Sequence, residues 1–323
     1  MNSNPLVSII IPNYNSCEYV LDTLESIEKQ TYPNWECIIV DDHSTDNSVL
    51  LISNYIKDKS KFQLLLRPID KIKGANSCRN YGLKHAIGDY INWFDSDDIM
   101  LFNFLEFKIR NAENNDMIIA TGSFVSHDLQ AQKKIELFQP NSLYKEYVMW
   151  KLKILTPSIM FKKEFLDKNQ YAFNENIHKG QEMELFSKIF FEQKYCSFKI
   201  INEITFFYRS HSNSSTSKNQ TYQSIFKFSE AQTLLINFKR SLILFDNDLI
   251  QSRYRLLINL LKKAINNSDL KLVYLITNEL EDCIGGKNKI RFWLLKRIIK
   301  LFLLIKITWI RWEYPFKKIN INY

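Results

Sequence analysis

Short apolar runs alternate with amphipathic stretches over the first hundred residues. Runs of strand-forming residues predict four strands, at Val7–Ile11, Trp35–Val40, Phe62–Leu66 and Tyr90–Phe94. Apolar residues at helical spacing predict helices between these strands, over about 15–30, 49–56 and 75–86. Because strands that alternate with helices of this length form parallel sheets covered by helices, the pattern predicts an α/β fold.

The pattern is less regular beyond Leu101. It predicts a helix at Asn103–Arg110, a strand at Met117–Thr121, a helix that opens near Gly180 and a strand at Ile204–Tyr208. The polar stretch 210–218 is typical of a loop or domain boundary, and helix is predicted from about residue 222 onward. These changes divide the chain into residues 1–100, 101–218 and 219–323.

The net charge of +8 is concentrated in one segment, the tail from Lys287 to Lys318. The tail holds ten basic residues and one acid, Glu313, so the rest of the chain is nearly neutral. A helical wheel largely separates a basic side (Lys289, Lys296, Arg297, Lys300, Arg311) from an apolar side (Leu294, Leu295, Ile298, Leu301, Phe302, Ile305, Trp309, Trp312). Such a helix predicts contact with an anionic membrane surface; the alternative is a helix packed on its own domain. No nucleic-acid recognition motif accompanies the charge, so no nucleic-acid partner is expected.

The cysteines and the N-terminus bear on the compartment. Five cysteines are spread along the chain without a C-x-x-C pair, which favours neither a disulfide framework nor a zinc site. The first residues lead straight into a β-branched run rather than a signal peptide, and no stretch of about 18 uncharged apolar residues follows. We therefore expect a cytoplasmic protein, peripheral on the cytoplasmic face of the membrane if the tail binds there.

Three carboxylates crowd one turn after the fourth predicted strand, in Asp95-Ser96-Asp97-Asp98. Ligands of parallel sheets bind beyond the carboxyl ends of the strands. Carboxylates this close stay ionised together only with a cation or full hydration, and Mg²⁺ and Mn²⁺ take such oxygen ligands. The turn predicts a divalent-cation site that also meets a diphosphate; the alternative is a solvated acidic turn.

Two further polar groups lie near the same predicted sheet edge. Asp41 and Asp42 end the second strand, where one carboxylate is expected to cap the following turn and the other to accept hydrogen bonds from a base or ribose. Arg79, in the segment KGANSCRN, is placed between the acidic strand ends, where it would contact a diphosphate or hold a carboxylate. The alternative for Arg79 is an ordinary surface position.

Four segments occur in an order and spacing that resemble the family 2 glycosyltransferases of the GT-A fold: VSIIIPNYN, IIVDDHSTDNS, GANSCRNYGL and GDYINWFDSDD. The resemblance covers roughly Val7 to Ser214. It implies a GT-A-like, mostly parallel nucleotide-binding sheet flanked by helices, with a C-terminal helical extension. Residues 1–100 would then bind a nucleoside diphosphate sugar, 101–218 would bind the acceptor and carry catalysis, and 219–323 would be the extension.

The resemblance also assigns roles around the donor. Asp42 resembles the carboxylate that meets the nucleobase, in a pocket lined by Pro12 and Tyr14. Arg79 resembles a basic residue near the donor. Asp95 and Asp97 resemble the D-x-D motif, with Asp97 the direct metal ligand and Asp95 nearer the ribose or the metal shell. Mn²⁺ or Mg²⁺ is the implied cofactor.

Two later segments also resemble the family, and the first of them departs from its usual sequence. The family carries a Glu-Asp pair at a helix start, whose Asp is the general base; here Gln181 replaces the Glu and Glu182 replaces the Asp. Glu182 is therefore the predicted base, with a surface helix residue as the alternative. Tyr208-Arg209-Ser210-His211 resembles the family's Y-R-x-H segment, which makes His211 a candidate for the metal shell or the diphosphate; the alternative is a solvated loop histidine.

The resemblance implies transfer of one sugar to an acceptor hydroxyl with inversion at the anomeric carbon. A glycan or a lipid-linked acceptor in surface-glycan or lipid-linked oligosaccharide assembly would suit a membrane-facing tail. Two alternatives stay open: nucleotidyl transfer, which would release pyrophosphate, and a non-catalytic sugar-nucleotide-binding or scaffold protein. The replacement at 181–182 favours the second alternative, and the intact D-S-D sequence opposes it.

Overall fold

A computed structural model describes residues 4–193, 196–211, 221–283 and 286–305, together with Glu313 and Lys317. The contacts between residues divide the chain into two compact units. The first unit comprises residues 1–177 and 184–217, and the second comprises 178–183 and 218–323. The division predicted from the sequence, at 100 and 218, stays a prediction.

The first unit is built on one sheet, whose strands among the described residues are β1 (Val7–Asn13), β2 (Trp35–Asp41), β3 (Phe62–Leu66), β4 (Tyr90–Trp93), β5 (Ile99–Met100), β6 (Met117–Val125), β7 (Ala131–Lys134), β8 (Ile159–Lys162) and β9 (Phe198–Arg209). Their order is β3-β2-β1-β4-β8-β6-β9-β5, with β7 paired to β6. Strands β1 to β4 are parallel, β6 pairs with β9 in parallel, and β8, β7 and β5 run antiparallel to their neighbours. The predicted α/β class with a mostly parallel sheet is therefore confirmed.

Helices α1 (Val20–Glu28), α2 (Ser48–Ile56) and α3 (Ala75–His85) connect the first four strands. The apolar residues of β1 and β2 are fully buried, as continuous runs in parallel strands covered on both faces usually are. Gly82 brings α3 close to the sheet, because a Cβ at this position would lie 2.4 Å from Ile10 Cγ2. The C-terminal half of α3 thus packs directly on Ile10 of β1 and Val40 of β2.

The rest of the first unit contains α4 (Phe104–Arg110), α5 (Leu143–Val148), a 3₁₀ turn (Thr156–Ser158), α6 (Lys163–Lys168) and α7 (Gln181–Glu192), whose first residues belong to the second unit. Strands β6 and β9 are longer than the sequence predicted, and β5, β7 and β8 were not predicted. Each of these three strands has only two to four residues, too few for a periodic pattern.

The second unit is helical, as predicted, with α8 (Ser224–Ile243), α9 (Asn247–Asn266), α10 (Leu270–Cys283) and α11 (Gly286–Ile305). Its helices share a core of their own, which includes Phe238, Tyr254, Leu261 and Ile276. The predicted loop 210–218 lies outside the described residues from 212 onward.

The structure corrects the predicted N-terminus of α1. The sequence predicted a helix from about residue 15, but the helix begins at Val20, after Tyr19, which makes no side-chain capping bond. Asn15 instead accepts a hydrogen bond from the Thr45 N–H at 2.8 Å, and the Ser16 N–H donates to the Ser48 hydroxyl at 2.9 Å. The loop after β1 thus bonds both to the chain at 45–48, where α2 begins, and to its own helix, since the Ser16 carbonyl accepts from the Val20 N–H at 2.9 Å.

The structure also corrects the helical wheel of the tail. Leu295 was placed on a membrane-facing side but is buried, with Phe292 and Ile299, in the core of the second unit. Lys296 pairs with Glu281. The exposed side of α11 instead mixes apolar and basic residues, namely Lys289, Ile290, Trp293, Leu294 and Arg297. Lys306, Trp309, Arg311 and Trp312 lie outside the described residues.

Candidate functional site

The Asp95–Asp98 turn follows β4 at the carboxyl edge of the parallel strands. Its last residue, Asp98, is buried and accepts a hydrogen bond from the backbone N–H of Arg209 at 3.0 Å. The Thr23 hydroxyl of α1 donates to the Asp98 carbonyl at 2.8 Å. The turn is therefore fixed between the first helix and the end of the last strand, while Asp95 and Asp97 keep part of their side chains exposed.

Arg79 of α3 reaches the first carboxylate of the turn. Its Nη2 donates to Asp95 Oδ1 at 2.7 Å, and its guanidinium lies 5.0 Å from the Phe173 ring. Only 5% of Arg79 is exposed, so the predicted alternative of a surface arginine does not fit. The structure favours the other expectation, in which Arg79 holds a carboxylate in place.

His211 reaches the third residue of the turn. Its Nε2 lies 2.9 Å from Asp97 Oδ2, although the two residues are 114 positions apart in the chain. The imidazole is almost fully buried, so His211 is not a solvated loop residue. The structure therefore brings together Asp95, Asp97, Arg79 and His211, four of the predicted donor-site residues.

Burial raises the pKa of two carboxyls of the acidic turn, those of Asp98 and Asp95. Burial, with the neighbouring Asp97 and Asp95 charges, raises the pKa of Asp98 well above its ordinary value. Burial also raises the pKa of Asp95, with a further rise from Asp97 that Arg79 opposes. The turn is thus a place where negative charge is costly and where an added cation is favoured.

The two aspartates at the end of β2 have different partners. Asp41 accepts hydrogen bonds from the Ser44 N–H at 2.8 Å, the Ser44 hydroxyl at 2.6 Å and Asn13 Nδ2 at 2.7 Å, so it holds the turn that follows. Asp42 Oδ1 pairs with Arg67 Nε, and both side chains are nearly inaccessible. A hydrogen-bond donor group of a nucleobase would therefore have to reach the other carboxylate oxygen of Asp42.

Arg67 had no predicted role. It directly follows β3, the strand next to β2, and its Nη1 also donates to the carbonyls of Pro68 at 2.8 Å and Lys71 at 2.5 Å. The position of Arg67 at the same sheet edge was a signal that the sequence offered. Its pairing with Asp42 fixes the loop 67–73 against the predicted base pocket.

Pro12 and Tyr14, the predicted walls of that pocket, differ in exposure. Pro12 is buried within β1 opposite Val40, whereas Tyr14 is 45% exposed. The Lys73 ammonium lies 4.3 Å from the Tyr14 ring centroid and 3.2 Å from its hydroxyl. Tyr14 therefore offers a partly exposed aromatic ring of the kind on which a nucleobase stacks.

Two asparagines of the KGANSCRN segment hold the chain at 173–177. Asn76 Nδ2 donates to the carbonyls of Asn174 at 2.7 Å and Ile177 at 3.0 Å. Asn80 Nδ2 donates to the Phe173 carbonyl at 2.9 Å, and its Oδ1 accepts from the Phe173 N–H at the same distance. These contacts were not predicted, because they join residues more than ninety positions apart.

Glu182, the predicted general base, lies in the first turn of α7, after Gly180 with a φ of 66°. Glu182 is partly buried, whereas Glu184, two residues further along α7, is buried. The segment 178–183 belongs to the second unit, where Glu182 interacts electrostatically with Lys179. Burial, with a contribution from Lys227, lowers the pKa of Lys179.

The acidic turn offers two partly exposed carboxylates, a buried carboxyl and an imidazole as possible metal donors. Among residues 4–193, 196–211 and the other described parts, no three His, Cys, Asp or Glu side chains form a cluster arranged to hold a metal ion. Asp97 and His211 nevertheless offer a carboxylate and an imidazole in contact, and Asp98 Oδ2 is a buried oxygen without a hydrogen-bond partner. Carboxylate oxygens suit Mn²⁺ and Mg²⁺, so the carboxylates of the turn fit the predicted cofactor, whereas the imidazole is a softer donor than these ions usually take.

The profile of the family described as Glycosyl transferase family 2 matches residues 8–190, more than half of the chain. The chain belongs to this family of glycosyltransferases. The match includes β1 to β8 and all the predicted site residues except His211.

Curated relatives of this family 2 glycosyltransferase match part of its length. An uncharacterised glycosyltransferase of Haemophilus influenzae is 36% identical over 129 residues, which are 40% of this chain and 51% of that protein. Glycosyltransferase GlyG of Streptococcus pneumoniae is 34% identical over 38% of this chain and 40% of its own. The Escherichia coli UDP-Glc:alpha-D-GlcNAc-diphosphoundecaprenol beta-1,3-glucosyltransferase WfgD is 38% identical over 37% of this chain and 46% of its own. The chain thus spans about half, or less, of the length of these relatives.

Solved structures of S. aureus TarS have a similar fold. The complex with UDP-GlcNAc superimposes with a TM-score of 0.56 at 20% identity and covers 73% of this chain and 66% of TarS. The complex with UDP gives a TM-score of 0.54 at 17% identity, with 82% of each chain covered. The likeness confirms the predicted GT-A-like fold. Within the described residues, no helix is both long and apolar enough to cross a membrane.

Proposed function

We propose that this protein is an inverting, metal-dependent glycosyltransferase that moves a sugar from a nucleoside diphosphate sugar to an acceptor hydroxyl. The observation that carries the proposal is the convergence of Arg79–Asp95 and Asp97–His211 at the carboxyl end of β4. A guanidinium, two carboxylates and an imidazole in one place suit a diphosphate and the cation that accompanies it. TarS structures, which share the fold, contain UDP-GlcNAc or UDP.

Different residues of the site bind different parts of the donor. Tyr14 stacks on the nucleobase, Pro12 supports that wall from inside β1, and Asp42 accepts a hydrogen bond from the base while Arg67 orients its carboxylate. Arg79 and Asp95 face the diphosphate and ribose. Asp97 and His211 hold Mn²⁺ or Mg²⁺, and such an ion, when bound, neutralises the charge that develops on the departing diphosphate.

Glu182 is the proposed general base. Its carboxylate would take the proton of the acceptor hydroxyl as the hydroxyl oxygen forms its bond to the anomeric carbon and the diphosphate departs from the opposite side. A single displacement of this kind inverts the anomeric configuration. Glutamate is one methylene longer than the family's usual aspartate, so its carboxylate reaches further from the backbone of α7.

The proposed acceptor is a glycan or a lipid-linked glycan, in surface-glycan or lipid-linked oligosaccharide assembly. WfgD, by its name, acts on a sugar diphosphate carried on a lipid. Exposed Trp293 and Ile290 lie on α11 beside exposed Lys289 and Arg297, a mixture suited to the headgroup region of an anionic membrane. We propose that α11 holds the protein peripherally on the cytoplasmic face of such a membrane.

A donor panel tests the proposed reaction. The full-length protein is incubated with UDP-, GDP-, ADP- and dTDP-sugars and Mn²⁺, and melting temperature and release of nucleoside diphosphate are measured. One donor is expected to raise the melting temperature, since a ligand of the native state stabilises it, and to be turned over slowly to its nucleoside diphosphate. Release of pyrophosphate from a nucleoside triphosphate and a sugar phosphate would instead indicate nucleotidyl transfer. Stabilisation without any turnover, even with glycan or lipid-linked acceptors, would indicate a non-catalytic protein.

A further inference from the structure

Tyr19 connects the start of α1 to the residues that follow β9. It directly precedes α1, and only 6% of its surface is exposed. Its ring centroid lies 4.4 Å from that of His211, with the two planes inclined at 48°. The same ring lies 4.9 Å from the guanidinium carbon of Arg209. Rings at this separation attract each other, and an aromatic face attracts a guanidinium at this range.

The next turn of α1 holds the same two segments through polar contacts. Asp22 pairs with Arg209 at 2.9 Å, and Thr23 donates to the Asp98 carbonyl at 2.8 Å. Arg209 in turn donates its backbone N–H to Asp98. Residues 19–23 therefore support both the acidic turn and the segment that carries His211, although none of them belongs to the D-x-D or Y-R-x-H segments.

We infer that Tyr19 is a positioning residue that orients His211 toward Asp97, and thereby toward the cation. An imidazole rotates about two side-chain bonds, and only part of that range keeps Nε2 at 2.9 Å from Asp97 Oδ2. The Tyr19 ring, packed against the imidazole, removes many of the other orientations. The inference rests on the proposed function, in which His211 is a metal ligand.

The expected effect is on cation-dependent binding. Loss of a group that orients a metal ligand typically lowers metal affinity by about 10- to 100-fold. Tyr19→Phe keeps the ring and should bind as the wild type does. Tyr19→Leu and Tyr19→Met remove the ring and should weaken Mn²⁺-dependent binding of UDP about 10-fold, with little change in UDP binding without Mn²⁺.

Tyr81 provides a matched control. Its ring centroid lies 4.4 Å from that of His85 on α3, inclined at 60°, and the proposed function gives this pair no role. Tyr81→Leu therefore removes a tyrosine–histidine contact of the same length and should leave Mn²⁺-dependent UDP binding at the wild-type value. A general loss of packing would instead affect both tyrosine variants.

Calorimetric titration of the full-length proteins with UDP, with and without Mn²⁺, tests the role of Tyr19. Melting curves show which of Tyr19→Leu and Tyr19→Met is folded and can be compared with the wild type. Wild-type affinity in that variant overturns the inference, as does an equal loss in Tyr81→Leu or in Tyr19→Phe. His211→Ala distinguishes a failure of the proposed function from a failure of the inference about Tyr19. If His211→Ala binds UDP and Mn²⁺ normally, the proposed metal ligand fails; if it binds weakly while the Tyr19 variant binds normally, only the role of Tyr19 fails.

Discussion

Arg67, Arg79 and Arg209 are each 5% exposed or less, and each pairs with an aspartate. A buried guanidinium needs such a partner, because an isolated charge in the interior costs several kcal/mol. Asp97 differs, since its partner is the imidazole of His211 rather than a guanidinium.

Lys108 gives a prediction about stability that is independent of catalysis. It is fully buried, and its ammonium nitrogen lies 2.7 Å from both Asn92 Oδ1 and the Pro157 carbonyl. Burial lowers its pKa well below the ordinary 10.5. The native protein then binds fewer protons than the unfolded chain between the lowered pKa and about 10.5, so the free energy of unfolding should rise with pH in this window, by at most about 1.4 kcal/mol per pH unit.

Urea unfolding of wild type and Lys108→Met at pH 7 and pH 9 measures this effect. The variant lacks the titrating group, so its stability relative to the wild type should fall between pH 7 and pH 9. The variant should also be less stable by about 1–3 kcal/mol independently of pH, because Asn92 Oδ1 loses this donor and the Pro157 carbonyl keeps only the longer hydrogen bond from Asn92 Nδ2 at 3.5 Å. Parallel pH dependences for the two proteins would mean that Lys108 is protonated in the native state.

Glu182 gives a prediction about the transfer step. Glu182→Gln keeps the size of the side chain but cannot accept the acceptor's proton, so kcat should fall by about 10²- to 10⁴-fold. The affinity for the donor should hardly change, because the base acts on the acceptor. Glu184→Gln is the control, since Glu184 is two residues further along α7 and should give a milder loss. Near-normal transfer by Glu182→Gln, or a larger loss in Glu184→Gln, would place the base elsewhere.

The candidate site was predicted only in part. Asp95, Asp97 and Arg79 could be found because short motifs at strand ends carry them, and the parallel sheet brings those ends together. Tyr19 could not be assigned in this way, and the position of Arg67 directly after β3 indicated the sheet edge but not the partner, Asp42. Their roles depend on which side chain packs against a residue more than twenty positions away, and local spacing does not encode such contacts.

At the scale of elements, the sequence predicted the first four strands well because each is a buried apolar run. Prediction was poorest where pairing depends on other parts of the chain. The two-residue strand β5, for instance, pairs with Phe206–Phe207 of β9, more than a hundred positions later. The N-terminus of α1 was misplaced for a similar reason, since Asn15 and Ser16 bond to residues of another loop.

Helix α11 gives the prediction about membranes. Its exposed Trp293 and Ile290 should enter the headgroup region of anionic vesicles, so the double variant Trp293→Ser, Ile290→Ser should sediment with them at least about 10-fold less well. Phe245→Ser, which removes another exposed aromatic of the second unit, is the control and should sediment as the wild type does. Higher salt should weaken binding of all three proteins by screening the basic residues.

Equal sedimentation of the double variant and the control would remove α11 from the membrane contact. Deletion of α11 is a less suitable test, because Phe292, Leu295 and Ile299 contribute to the core of the second unit. A protein truncated before Gly286 should therefore be less stable, whatever its affinity for membranes.

At the scale of the whole molecule, the predicted functions are distributed over two units. The acidic turn and its arginines belong to the first unit, whereas the segment with Glu182 belongs to the second. The chain leaves the first unit directly after Ile177, whose carbonyl accepts a hydrogen bond from Asn76 of α3. The KGANSCRN segment therefore holds both Asp95, through Arg79, and Ile177, the last residue of the first unit before the chain enters the second.

The central claim is that donor binding depends on a divalent cation held at Asp97. Calorimetric titration of UDP into the full-length protein, with Mn²⁺ and then with excess chelator, tests it most directly, alongside Asp97→Ala. Repulsion between the diphosphate and the carboxylates of the acidic turn should make affinity fall steeply with chelator, and Asp97→Ala should show the same weak binding with or without Mn²⁺. Affinity that is unchanged both by chelator and by Asp97→Ala would contradict the metal-dependent account.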